Sequence, residues 1–172
     1  MKDRIKSILV CLTVLLLISC FIDNKEHSSI GENLALDSLI YTMLIEDTVK
    51  PDFGVMTIVQ YYDSTGCISC KMQLREWDNL LYEFQQDSML LPVTFVMIVC
   101  TDTEYDVCAE IKYNHFGYPV SLIKDDTLFE NVGVYSSSCF LLDTNGTILE
   151  YGSPLQNEKI KREYKNHLRI EY

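Results

Sequence analysis

The chain has 172 residues, 48% hydrophobic and 23% charged, enough for one domain with a buried core. Its 14 Lys and Arg stand against 25 Asp and Glu, a formal net charge of −11, which argues against a nucleic-acid partner, since phosphate binding rests on clustered basic residues. Few Gly and Pro and 11% aromatics argue against wholesale disorder, while seven cysteines, an odd and high number, need sorting.

Residues 1–20 read MKDRIKSILVCLTVLLLISC, a basic start (Lys2, Arg4, Lys6) followed by an apolar run from Ile8 to Ile18. This is the layout of a secretory signal peptide, too short for a stable membrane span. The run ends in Leu17-Ile18-Ser19-Cys20, which resembles the bacterial lipobox: apolar residues, a small residue, then the cysteine that becomes the acylated first residue of the mature protein. The resemblance implies a signal peptide over 1–19 and lipidation at Cys20. The alternative is a plain signal peptide or a single anchoring helix with Cys20 incidental. Cys11 leaves with the signal. Cleavage removes three of the 14 basic residues and one of the 25 acidic ones, leaving a net charge of −13. So acidic a protein is not held to anionic lipid by a basic patch, and acyl chains on Cys20 would have to anchor it. The compartment is then the cell envelope, facing the periplasm or cell surface, where disulfides persist. Residues 20–50 are read as acylated N-terminus, linker and N-terminal extension. FIDNKEHSSIGEN is polar and aperiodic. Leu34 to Leu44 suits either an amphipathic helix or an extended edge segment.

Residues 51–172 form the domain. Val55–Tyr62 (VMTIVQYY) is β-branched and aromatic, a buried strand. Asp63-Ser64-Thr65-Gly66 is a turn and helix-capping set. A helix is predicted from about Cys67 to Gln86, with Cys67, Cys70, Leu74, Trp77, Leu81 and Phe84 as one apolar stripe. Pro92 opens a second strand, Val93–Cys100, apolar throughout and therefore central. Glu104–Tyr113 suits a helix and Tyr118–Ile123 a short strand. Asp125–Tyr135 is a helical or irregular crossover. Cys139–Asp143 and Thr147–Tyr151 flank Asn145-Gly146, a strong hairpin signal. Asn157–Leu168 closes the chain as a helix. Strands alternating with helices and ending in a hairpin predict an α/β domain with a mixed central sheet flanked by helices.

Cys67-Ile68-Ser69-Cys70 follows a strand and starts a helix. Unpaired N–H groups and the positive end of the helix favour a thiolate there, lowering a cysteine pKa from its free value of about 8.5. Cys67 would be exposed and nucleophilic, with Cys70 buried one turn in as the resolving thiol. A structural zinc site needs four ligands, and no second Cys-x-x-Cys or His pair accompanies this one, so no metal is assigned. A static disulfide is the plainer alternative.

IVQYYDSTGCISC followed by an amphipathic helix resembles the active-site segment of the thioredoxin superfamily, and FLLDTNGTI over 140–148 resembles its late hairpin. Gly152-Ser153-Pro154 and the last helix also fit. Over roughly residues 50–170 the chain is similar to membrane-anchored thioredoxin-like thiol-disulfide oxidoreductases, particularly thioredoxin-like lipoproteins of Bacteroidetes-type bacteria. The resemblance implies a thioredoxin-like fold and thiol-disulfide exchange through Cys67 and Cys70 on exported protein thiols or disulfides, with no dissociable cofactor.

Three positions depart from the family pattern. Ser138 stands where the superfamily has its cis-proline. A cis bond before serine would cost about 2.5–4 kcal/mol, so a trans peptide and a different substrate groove are expected. Gly66 replaces the usual aromatic before the first cysteine. Tyr61 occupies the strand position that often holds a buried acid, and Asp63 reads as a turn residue. The missing cis-proline favours a competing class, a non-catalytic binding lipoprotein with a structural disulfide, whereas the helix-start placement of the pair favours catalysis. A peroxiredoxin-like peroxidase is a further alternative, but Thr65 lies two residues before Cys67 instead of three and no proline precedes it.

Among the remaining cysteines, Cys100 and Cys108 are either bonded across a turn or buried as small hydrophobes. Cys139, one past the cis-proline position, either joins the pair as a third thiol or follows the strand alternation into the core. Tyr62 and Tyr135 are the aromatics nearest a substrate groove.

Overall fold

In the computed structural model, residues 55–125, 127, 129, 134 and 136–170 are described. The signal, Cys20, the linker and Tyr135 lie outside these residues. Strands β1 (Met56–Tyr62), β2 (Val93–Cys100), β3 (Val120–Ile123), β4 (Ser138–Leu142) and β5 (Ile148–Tyr151) form one sheet in the order β3-β2-β1-β4-β5. The pairs β1–β2 and β2–β3 are parallel, while β4 runs antiparallel to β1 and β5 antiparallel to β4. The predicted mixed sheet is the one observed.

Alternation along the strands divides the core in two. Ile58, Tyr62, Phe95, Met97, Val99 and Leu141 face one side. There they meet three helices: α2 (Leu74–Gln86) through Trp77, Leu81 and Phe84, α3 (Glu104–Asn114) through Val107 and Ile111, and α4 (Glu158–Leu168) through Tyr164 and Leu168. Val59, Tyr61, Val96, Ile98, Phe140 and Leu142 face the other side, where Phe129 and Val134 cover them. Tyr61 stacks on Phe129 with ring centroids 3.9 Å apart. The position expected to hold a buried acid therefore packs an aromatic against the far face of the sheet.

Two expectations change. The single helix over 67–86 is two helices, α1 (Ile68–Met72) and α2, separated by Gln73 in the left-handed region at φ 46°. The break resets the helical phase. In α1 the inward residues are Ile68 and Met72, spaced four apart, so Cys67 and Cys70 leave the stripe and are both exposed. Leu74, Trp77, Leu81 and Phe84 keep it in α2. The hairpin is present, but its turn is wider than Asn145-Gly146. Asp143 Oδ1 accepts from the N–H groups of Asn145 and Thr147, both at 2.8 Å, and only Gly146 adopts a positive φ there, 82°.

A second glycine is set by close approach. Gly152 has φ 113°, and a Cβ there would collide with Ile160 Cδ1. Its backbone therefore lies directly against α4. Glu83 of α2 binds Lys161 and Lys165 of α4 at 2.6 and 2.8 Å, tying the two helices together at the surface.

Candidate redox site

The site forms at the carboxyl end of β1, where the sheet changes direction. β1 has parallel β2 on one side and antiparallel β4 on the other. Carboxyl ends of parallel strands at such a reversal leave an open crevice. Because β4 runs backwards, its first residue, Ser138, pairs with Tyr61 near the end of β1. Two segments distant in sequence, 63–73 and 136–138, thus share one end of the sheet.

Cys67 is the N-cap of α1, and its sulfur accepts the backbone N–H of Cys70 at 3.4 Å. The Cys70 thiol also donates to it. These two hydrogen bonds, side chain first, hold the Cys67 pKa below its ordinary value. The same thiol–thiol hydrogen bond, now from the donor's side, pushes Cys70 up. Glu110 of α3 adds a smaller unfavourable charge at both sulfurs. The expected asymmetry is therefore present with a different origin. α1 has only five residues, so local N–H groups and the partner thiol act, and Cys70 is exposed instead of buried.

A phenol packs against the end of α1. Tyr62 donates from Oη to the Met72 carbonyl at 3.1 Å and accepts from Trp77 Nε1 at 3.2 Å. Burial raises its pKa strongly, so it stays protonated. Cys139 faces the helical side of the core, fully buried, with its sulfur 3.4 Å from Tyr164 Oη. Burial pushes its thiol up to about 12. Of the two orientations open for Cys139, the core one is observed. Cys100 is buried and Cys108 half-buried, and neither forms a disulfide. Among the described residues, no three His, Cys, Asp or Glu side chains cluster to hold a metal.

Asp63 is the residue that sequence reasoning undervalued. It is buried at the end of β1. Its Oδ1 accepts from Thr65 N, Thr65 Oγ1 and Lys71 Nζ at 3.0, 2.7 and 2.5 Å. Oδ2 accepts from Ser137 N at 2.9 Å, and Asp63 N–H donates back to Ser137 Oγ at 3.1 Å. Burial pushes this carboxyl up, but Lys71, Thr65 and the Ser137 N–H outweigh it and hold the pKa at about 2. The only sequence signal was an acid closing an apolar strand two residues before a threonine.

Beside the site opens a cavity of about 610 Å³, walled by Ser136–Ser138, Lys71 and Gln73, Tyr151–Ser153 and the start of α4. Ser138 Oγ donates to Ser136 O at 3.0 Å and lies 2.8 Å from Tyr151 Oη. No peptide bond among the described residues is cis, including the one before Ser138.

No family model matches the chain, and no curated protein does. Solved structures do. One is described as a thiol:disulfide interchange protein DsbE from Chlorobium tepidum, with TM-score 0.54 and 15% identity over 67% of this chain and 82% of that one. The thioredoxin domain of a thiol-disulfide oxidoreductase from Bacteroides vulgatus gives 0.50 and 16%, covering 64% and 81%. A thioredoxin-like protein solved in its oxidized form gives 0.54 and 12%, covering 77% and 95%. At such identities the likeness carries the fold. The described residues have a thioredoxin-like fold, with a Cys-x-x-Cys pair following the carboxyl end of the first described strand.

Proposed function

We propose that the protein exchanges thiols and disulfides with exported proteins through Cys67 and Cys70. The observation that carries this reading is geometric: two exposed thiols stand three residues apart at a helix start, with the Cys67 sulfur as N-cap accepting the Cys70 N–H at 3.4 Å. The Cys67 thiolate attacks one sulfur of a substrate disulfide. A Cys67–substrate bond forms, and the other substrate sulfur leaves as a thiolate that takes a proton. Cys70 then loses its proton and attacks Cys67, releasing the second substrate thiol. The substrate gains two electrons and the pair becomes a disulfide; the reverse sequence oxidises a dithiol. Exposure of both sulfurs suits a macromolecular partner, and the adjoining cavity offers polar walls to a chain lying beside them. A non-catalytic module with a structural 67–70 disulfide is the competing reading.

The reduction potential of the pair separates the two. A catalytic pair equilibrates with glutathione-range buffers, whereas a potential below about −300 mV marks a structural disulfide. A Cys70→Ser variant should accumulate mixed disulfides, which identify the substrates. We further propose export and lipid anchoring at Cys20, supported by the signal-like segment and lipobox. Among the described residues no helix is long and apolar enough to cross a membrane. Intact-mass measurement of membrane-extracted protein tests this, since an unacylated mature N-terminus removes the anchor.

A further inference from the structure

We propose that Asp63 is the positioning residue of the redox site, an ionic clamp that makes the 136–138 wall of the cavity and the redox helix move as one unit. The inference rests on the exchange reading above. One carboxylate joins three separate segments. Through Oδ1 it holds Thr65, in the loop leading to Cys67, and Lys71, directly after Cys70. Through Oδ2 it holds Ser137, 74 residues away, and the main chain of Asp63 returns a bond to the same serine. Lys71 Nζ adds a bond to Thr65 Oγ1 at 3.2 Å, closing a ring of contacts. The Lys71 stem also passes over the residue before Cys67: a Cβ at Gly66 would meet Lys71 Cε at 3.7 Å.

The arrangement has a mechanical consequence. Ser136, Ser137, Ser138 and Lys71 all line the cavity. A substrate chain in that cavity touches both segment 136–138 and Lys71, and holding the two at a fixed spacing keeps the binding surface pre-organised, so loosening them weakens substrate binding. Charge-assisted hydrogen bonds are short, directional and about twice as strong as neutral ones, which suits a spacer that must not stretch. The acceptor is paired on both oxygens, so the clamp needs the ionised carboxylate and both partners together.

The test is steady-state reduction of insulin disulfides, driven by dithiothreitol, together with amide NMR of the reduced and oxidised protein. Asp63→Ala should raise KM for insulin about tenfold while changing kcat less than about threefold, because the pair remains but the groove is unlocked. Lys71→Met keeps the Ser137 contacts and should raise KM less. In the wild type, oxidising Cys67–Cys70 should shift the Ser137 and Ser138 amide signals; in Asp63→Ala that response should fall by more than half. Should the alanine variant not fold, Asp63→Asn removes the Lys71 ion pair while keeping the side chain's shape. It should then show an intermediate KM and a weakened amide response. A folded Asp63 variant with wild-type KM, or with a full amide response to oxidation, overturns the clamp. A wild-type protein that does not reduce insulin overturns the exchange reading instead, and the clamp is then decided by the amide response alone.

Discussion

The exposed Cys67–Cys70 pair and the buried Cys139 show how one residue type acquires opposite chemistry. Cys67 sits at a helix start with a donor N–H and a donor thiol aimed at its sulfur, and its pKa falls. Cys139 lies in the helical-side core with a tyrosine hydroxyl beside it, and burial lifts its pKa to about 12. Both stand near the same end of the sheet, so distance from the site does not separate them. Solvent and donor number do: a thiolate survives where hydrogen bonds and water stabilise its charge, and not where the surroundings are apolar.

Four measurements bear on that contrast. The largest effect is expected from Cys67→Ser, which should reduce insulin-reductase activity by ~10³-fold or more, since the attacking thiolate is gone. Residual activity near wild type would place the nucleophile elsewhere. Iodoacetamide labelling of the reduced protein at neutral pH should modify Cys67 first. Cys139 should react only through opening of the core, slower by ~10³-fold or more, and labelling followed by mass mapping reads the ratio directly. Tyr164→Phe sharpens the buried side. It removes the hydroxyl that donates to Gly152 O at 3.1 Å and contacts Cys139, and should cost about 1–3 kcal/mol in urea unfolding. The smallest effect concerns acid. Asp63 lies at about 2 when folded against an ordinary 3.8, so its stabilisation is full above the ordinary value and fades as pH falls toward 2. Urea midpoints should decline over that interval, and Asp63→Asn should flatten the decline.

Much of the fold was readable in advance because its signals are local. The apolar runs of β1 and β2, the turn residues of the hairpin and the four-residue spacing of Tyr164 and Leu168 each announce an element within a dozen residues. The helix after the motif misled because its apolar spacing continues unbroken from Cys67 to Phe84, and nothing in the pattern marks Gln73 as left-handed. The consequence reached the site: Ile68 and Met72 took the inward positions, and Cys70 moved to the surface. Asp63 was misjudged for a different reason. Its partners Lys71 and Ser137 are eight and 74 residues away, and only one is near enough in sequence for a pattern to suggest.

By itself the sequence determined the order of elements, the mixed α/β class, and the placement of a Cys-x-x-Cys pair between a strand and a helix. Hydrophobic period, turn chemistry and helix-start residues act over short spans, so a linear reading captures them. Tertiary structure alone decided which cysteines meet solvent, which thiol is lowered and which is raised, and that a strand-end aspartate holds Ser137 just before the start of the neighbouring β4. Those outcomes depend on helical phase and on the antiparallel return of β4, which are settled only when the sheet and its helices pack together.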